Sequence, residues 1–124
     1  MTLKVDEQTG IIEKKRNLEG THETKVMEVT GDVAGKIAII PDDVIVSGGT
    51  IVHAAEAVKQ AGATKVYLCA THADFIQGTV EQLKNAPVEK VFVTDTIEIM
   101  DEWKFEKLEV VSITDLLAEQ IKNL

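Results

Sequence analysis

Two adjacent carboxylates, Asp42 and Asp43, stand three residues ahead of Ser47-Gly48-Gly49-Thr50. Two glycines in a row let backbone N–H groups turn toward one point, because no Cβ obstructs positive φ. The hydroxyls of Ser47 and Thr50 add donors. A helix opening at this point leaves its first-turn amides without internal partners, at the positive end of its dipole. That arrangement suits a phosphate. The paired acids suit the hydroxyls of a sugar, or a magnesium ion with its waters. The spacing is neither GxxxxGK[ST] nor GxGxxG. A glycine pair before a helix is often plain turn chemistry. What marks an anion site here is the succession: the apolar run Lys36 to Ile40, two acids, then the small-residue loop.

A second candidate is Glu13-Lys14-Lys15-Arg16, the densest positive cluster of the chain. Alternation along a strand puts Lys14 and Arg16 on one face. Lysine offers a point charge and arginine a two-pronged donor to phosphate oxygens. The plainer reading of the same residues is a solvated charge run on a hairpin. His22 and His53 have no partners at metal-ligand spacing, which argues against a His/Cys metal site. His72 follows the strand Lys65 to Ala70, where a side chain can face a ligand crevice, and a structural role beside the site is the reading preferred for it over a catalytic one.

Elements must position these groups. Ile11 to Lys15 and Thr24 to Thr30 read as the two arms of an N-terminal β-hairpin, with a flexible loop over residues 13–24. Lys36 to Ile40 reads as a strand buried on both faces, ending at the acid pair. Ile51, Ala54, Ala55 and Val58 recur at helical spacing, so a helix runs from about Thr50 to Ala61 and stops at Gly62. Lys65 to Ala70 is the next strand, which implies a right-handed parallel crossover. Gln77 to Asn85 reads as a short helix, Lys90 to Thr94 and Leu108 to Ser112 as further strands. A last helix shows Ile113, Leu116, Leu117 and Ile121 on one face, with a capping-box-like start at Ser112 and Asp115. Trp103 and Phe105 fall in an irregular acidic stretch and suit either a cap on the sheet or a subunit contact. The expected fold is α/β: a partial doubly wound parallel sheet with an N-terminal β-hairpin, forming one domain over residues 1–124.

The Asp-Asp…Ser-Gly-Gly-Thr stretch resembles the phosphoribosyl-pyrophosphate (PRPP) loop of type I phosphoribosyltransferases. Among these the chain is most similar to the C-terminal part of ribose-phosphate pyrophosphokinases, the PRPP synthetases. Glu13–Arg16, Gly31–Lys36, Ala70-Thr71-His72, Val93–Ile97 and Leu116–Ile121 resemble further landmarks of that family, in order and over roughly residues 11–123. The resemblance implies that Asp42 and Asp43 contact ribose hydroxyls, directly or through Mg²⁺. It implies that Val46, Ser47, Gly48, Gly49 and Thr50 wrap the 5-phosphate. Lys14 and Arg16 would close over the transferring phosphates as the catalytic pair. Ribose 5-phosphate or PRPP, ATP and Mg²⁺ are then the expected ligands, and the reaction moves diphosphate from ATP to ribose 5-phosphate.

Three positions depart from the family pattern: Pro41 where an aliphatic residue is usual, Val46 where a polar or small one is, and Ala73 where glycine is. The sequence also shows no counterpart of the half that supplies most of the nucleotide site, nor of the acidic metal-binding segment. An isolated chain is therefore expected to be incomplete as an enzyme. A non-catalytic ribose-phosphate or nucleotide binding module and an assembly subunit of a complete synthetase are the alternatives. A phosphoribosyltransferase that uses PRPP as donor is disfavoured, since no base-recognition hood is visible.

Composition agrees with this reading. At 124 residues, 44% hydrophobic and 27% charged, the chain fits one globular domain. The net charge of −8 argues against a nucleic-acid surface. Cys69 is the only cysteine, so no internal disulfide forms, and its apolar setting reads as packing. No apolar run approaches membrane-spanning length and the start lacks a signal-peptide pattern, so the cytoplasm is the expected compartment. A half-built sheet exposes apolar surface, so a homo-oligomer or a complementing subunit is expected.

Overall fold

In the computed structural model, residues 2–5, 8–17 and 24–124 are described, with side chains from residue 29 onward. Seven strands form one sheet in the order β3-β2-β1-β4-β5-β6-β7. The strands are β1 (Thr2–Val5), β2 (Gln8–Asn17), β3 (Thr24–Thr30), β4 (Ile37–Ile45), β5 (Lys65–Ala73), β6 (Lys90–Thr94) and β7 (Leu108–Val111). Strands β4 to β7 are parallel and in sequence order. The β2–β3 hairpin and β1 are antiparallel additions. The fold is thus α/β around a four-stranded parallel sheet. The hairpin matches the expected pairing of Ile11–Lys15 with Thr24–Thr30. Of the loop expected over 13–24, residues 13–17 and Thr24 lie in strands, and 18–23 fall outside the described residues.

Alternation decides which face of the sheet is packed. Ala38 and Ile40, Val66, Leu68 and Ala70, and Val91 and Val93 point to one side and are buried. That side receives α1 (Gly49–Gln60) and α2 (Thr79–Asn85), which also pack on each other. Helix α1 inserts Ile51, Ala54, Ala55 and Val58 into this core, and α2 inserts Leu83. It ends as the sequence indicated. Gly62, at φ +105, donates to the Lys59 carbonyl, and Ala63 donates to that of Val58, the double closure of a Schellman turn. A Cβ at Gly62 would also lie 3.2 Å from Ala34 Cα, so glycine is required twice over. Trp103 packs beside Phe75, ring centroids 5.6 Å apart, in a single 3₁₀ turn at Asp101–Trp103. Trp103 is thereby partly buried against the core, as a cap on the sheet requires.

The opposite face is different. Ile37 and Ile39 of β4 and Val111 of β7 are exposed there, and Tyr67, Cys69 and Phe92 between them are only half-buried. The last helix, α3 (Thr114–Lys122), buries none of its residues. Leu116, Leu117 and Ile121, its apolar stripe, stand in solvent. The start of α3 is held by Asp95 Oδ1, which accepts the Ile113 amide at 3.0 Å, and by Ser112 Oγ, which accepts that of Thr114 at 3.2 Å. Ser112 therefore does contribute at the helix start, while Asp115 makes no capping bond.

Candidate functional site

The acid pair lies inside β4, not beyond its end: the strand continues five residues past Ile40, to Ile45. The sequence pointed to an earlier stop because the apolar run ends at Ile40. The pleat persists because β5 continues beside it, with Asp42 opposite Ala70 and Val44 opposite His72. Pro41 is tolerated for a related reason. Strand β1 pairs with β4 at Ala38 and Ile39, so Pro41 sits past that ladder, where a missing N–H costs little.

Each carboxylate is steadied by the next amide. Asp42 Oδ1 accepts the Asp43 N–H at 2.8 Å, and Asp43 Oδ1 accepts the Val44 N–H at 2.9 Å. One oxygen of each acid is thereby occupied locally, and neither is tied to a distant part of the scaffold. The two acids differ in strength. Partial burial, with the hydrogen bond to Asp43 next, raises the Asp42 pKa above the ordinary carboxylate value. The hydrogen bond from Asp42, then the Val44 amide, lowers that of Asp43. Asp42 is the member that takes a proton first.

After Ile45 the chain turns into α1. Gly48 is the residue before the helix, at φ +84, in the left-handed region that favours glycine. No side chain caps α1. The first intrahelical bond runs from the Val52 amide to the Gly48 carbonyl at 3.0 Å. The Gly49 amide makes only a long contact, 3.4 Å, to Ser47 Oγ. Among the described residues, the amides of Ser47, Gly48, Thr50 and Ile51 donate to no protein group. A cleft of about 270 Å³ opens over them, lined by Asp42, Asp43, Val46, Ser47, Gly48 and Thr50 among others. It holds both acids and four of the five expected phosphate-loop residues. Gly49 supports the loop without lining the cleft. The Val46 side chain is exposed and offers the ligand no hydrogen bond.

Lys14 and Arg16 lie on β2, opposite Met27 and Lys25 of β3, with β1 between their strand and the acids' strand. Their side chains fall outside the described residues. His72 is engaged by a neighbouring strand end. Its Nδ1 meets Thr96 Oγ1 at 2.8 Å, and Thr94 and Thr96 both donate to the Thr71 carbonyl. This threonine–histidine network ties the carboxyl ends of β5 and β6 together beside a second cleft of about 270 Å³, which shares Asp42 as a wall. Among the described residues, no three His, Cys, Asp or Glu side chains gather at metal-binding distance.

Thr79 escaped the sequence reading. It is fully buried, and its hydroxyl donates to the Val46 carbonyl at 2.6 Å while accepting the Ile76 amide at 3.1 Å. Nothing local announces it, because its partner lies 33 residues earlier.

Comparison with known proteins gives a consistent set. Residues 6–124 match the family model described as the phosphoribosyl synthetase-associated domain. The chain is 42% identical over 112 residues to ribose-phosphate pyrophosphokinase 1 of Streptococcus mutans, covering 90% of this chain and 35% of that one. It is 45% identical over 115 residues to the ribose-phosphate pyrophosphokinase of Aquifex aeolicus, covering 93% and 36%. The crystal structure of phosphoribosylpyrophosphate synthetase from Mycobacterium smegmatis superposes with a TM-score of 0.74 at 38% identity, over 77% of this chain and 32% of that one. The chain spans little more than a third of the length of the curated relatives it matches.

Proposed function

The chain belongs to the phosphoribosyl synthetase-associated domain family, and on that footing we propose that it is a ribose 5-phosphate or PRPP binding domain. The observation that carries this is the row of amides at the start of α1 that have no partner among the described residues, in the loop that lines the same cleft as the Asp42–Asp43 pair. The 5-phosphate takes the loop Val46–Thr50, through main-chain N–H groups and the hydroxyls of Ser47 and Thr50. The acids take the ribose hydroxyls. An ionised carboxylate only accepts hydrogen bonds, so it matches a hydroxyl and repels a second phosphate, which fixes the direction of the bound sugar.

The donor set also fits magnesium. It is all oxygen, and two neighbouring carboxylates suit a cation that keeps most of its waters and takes further oxygens from the substrate. Asp42 and Asp43 would hold it, and when bound it would neutralise charge on the diphosphate. Lys14 and Arg16 carry the remaining anionic load in this reading, stabilising charge that builds during diphosphate transfer from ATP to ribose 5-phosphate. The chain's own part is positioning: it holds C1 of the ribose in place by fixing the far end and the ring hydroxyls.

A second reading, an assembly subunit of a longer synthetase, is favoured by the bare apolar sheet face and the uncovered stripe of α3. The two readings are compatible, since a partner on that face leaves the cleft's loop untouched.

Nuclear magnetic resonance of the 15N-labelled chain tests the binding site. Adding ribose 5-phosphate is expected to shift the Ser47, Gly48, Thr50 and Ile51 amide resonances most. Shifts confined to other parts of the sheet contradict the assignment.

A further inference from the structure

Helix α2 reaches the phosphate loop at two points. The Thr79 hydroxyl donates to the Val46 carbonyl at 2.6 Å, and Gly48 rests on the Thr79 methyl and the Leu83 side chain, where a Cβ on Gly48 would be 3.6 and 3.8 Å away. The same hydroxyl accepts the Ile76 amide at 3.1 Å, so its own orientation is fixed by the turn that opens α2. Thr79 is completely buried, so water does not compete for either bond.

The consequence follows from the planarity of the peptide bond. In a trans peptide the carbonyl of one residue and the N–H of the next point in opposite directions. Holding the Val46 carbonyl toward α2 therefore holds the Ser47 N–H away from α2. The cleft lies on that outer side: its walls include Val46, Ser47 and Gly48 but no residue of α2. Without the Thr79 bond, this peptide could rotate and turn a carbonyl oxygen, rather than a donor, toward an anion.

We propose that Thr79 is the positioning residue of the loop, fixing the Val46–Ser47 peptide so that the Ser47 N–H faces the anionic ligand. The part that names the ligand rests on the sugar-phosphate reading above; the part that names the peptide does not. Thr79 is buried and does not line the cleft, so it acts through the backbone of Val46. Its hydroxyl, not its bulk, carries the role.

The test compares Thr79→Val, which removes the hydroxyl at nearly constant shape, with Thr79→Ser, which keeps it. The 15N relaxation order parameter of the Ser47 amide is read without ligand, and affinity for ribose 5-phosphate by calorimetry. In Thr79→Val the order parameter is expected to fall from about 0.85 to below about 0.6, and the dissociation constant to rise roughly tenfold, with Thr79→Ser near wild type in both. Where valine prevents folding, Thr79→Ala removes the same hydroxyl without adding bulk and gives the same readings. A folded hydroxyl-free variant with a wild-type order parameter at Ser47 overturns the proposal, as does failure of serine to restore what valine loses. A lowered order parameter in Thr79→Val, with no binding even in wild type, upholds the peptide clamp and removes the sugar phosphate.

Discussion

Gly48 and Gly49 look interchangeable in the sequence and are not in the structure. Gly48 carries the loop's left-handed backbone, so Gly48→Ala is expected to cost about 1–2 kcal/mol of stability through strain. That is a loss of roughly 5 °C in melting temperature for a chain of this size. Gly49 has an ordinary φ, and a Cβ there would meet nothing closer than Ser47 Oγ at 3.8 Å. Gly49→Val is therefore expected to melt within about 2 °C of wild type, leaving any effect to fall on the bound anion. Thermal scans of the two variants check this; equal destabilisation contradicts the distinction. The sequence showed that glycines were needed here but not which one bears the φ. Nor did it show that Asp42 and Asp43 would hold unequal acid strengths, because that difference comes from burial and from the order of two local hydrogen bonds.

At the scale of elements, α1, β5 and β6 were legible because pattern and packing agree, whereas β4, read as buried on both faces, leaves Ile37 and Ile39 exposed and α3 packs its stripe on nothing among the described residues. Lys90–Thr94 was placed without error, since it alternates and is bounded by turn residues on both sides. The helix over Gly49–Gln60 needed only its i, i+3, i+4, i+7 row and its terminal glycine. Strand β4 was underestimated because Pro41, Asp42 and Asp43, which follow its apolar run, are poor strand formers that neighbouring β5 nonetheless keeps in line. Contacts between elements were the part that could not be read: Asp95 reaching Ile113, 18 residues on, and Thr79 reaching Val46. The Asp95 contact makes a pH prediction. The Ile113 amide, then the Ser112 hydroxyl, lowers the Asp95 pKa below its ordinary 3.8. A carboxyl depressed in the folded state contributes stability above its unfolded pKa and loses it as pH falls toward the folded one. The stability difference between wild type and Asp95→Asn is thus expected to be constant above about pH 5 and to shrink below about pH 4. Urea titrations at several pH values check it; a gap that persists or widens in acid contradicts the contact.

At the scale of the whole molecule, one side of the sheet is finished and the other is not. Helices α1 and α2 cover the first, while Ile37, Ile39 and Val111 leave the second greasy, and α3 holds its leucines out to solvent at 59% and 52% exposure. Surfaces of this kind mark contact sites. Opposing them is a net charge of −8 on every copy. Like charges repel at long range and are screened by salt, so association is expected to strengthen between about 20 mM and 300 mM salt. Sedimentation velocity reads this directly, and a monomer unchanged across that range contradicts it. Among the described residues no helix is long and apolar enough to cross a membrane, so this face is not explained by a spanning helix.

The central claim is that the free amides at the head of α1 bind a sugar phosphate beneath two acids, and calorimetric titration of the folded chain with ribose 5-phosphate, with and without Mg²⁺, tests it most directly. The account predicts saturable binding at one site per chain, weakened at least about tenfold in the double variant Ser47→Ala, Thr50→Ala, which removes the two loop hydroxyls on the cleft wall while the chain remains folded. Dilution heat alone from the wild-type chain, or undiminished binding by that double variant, would contradict it.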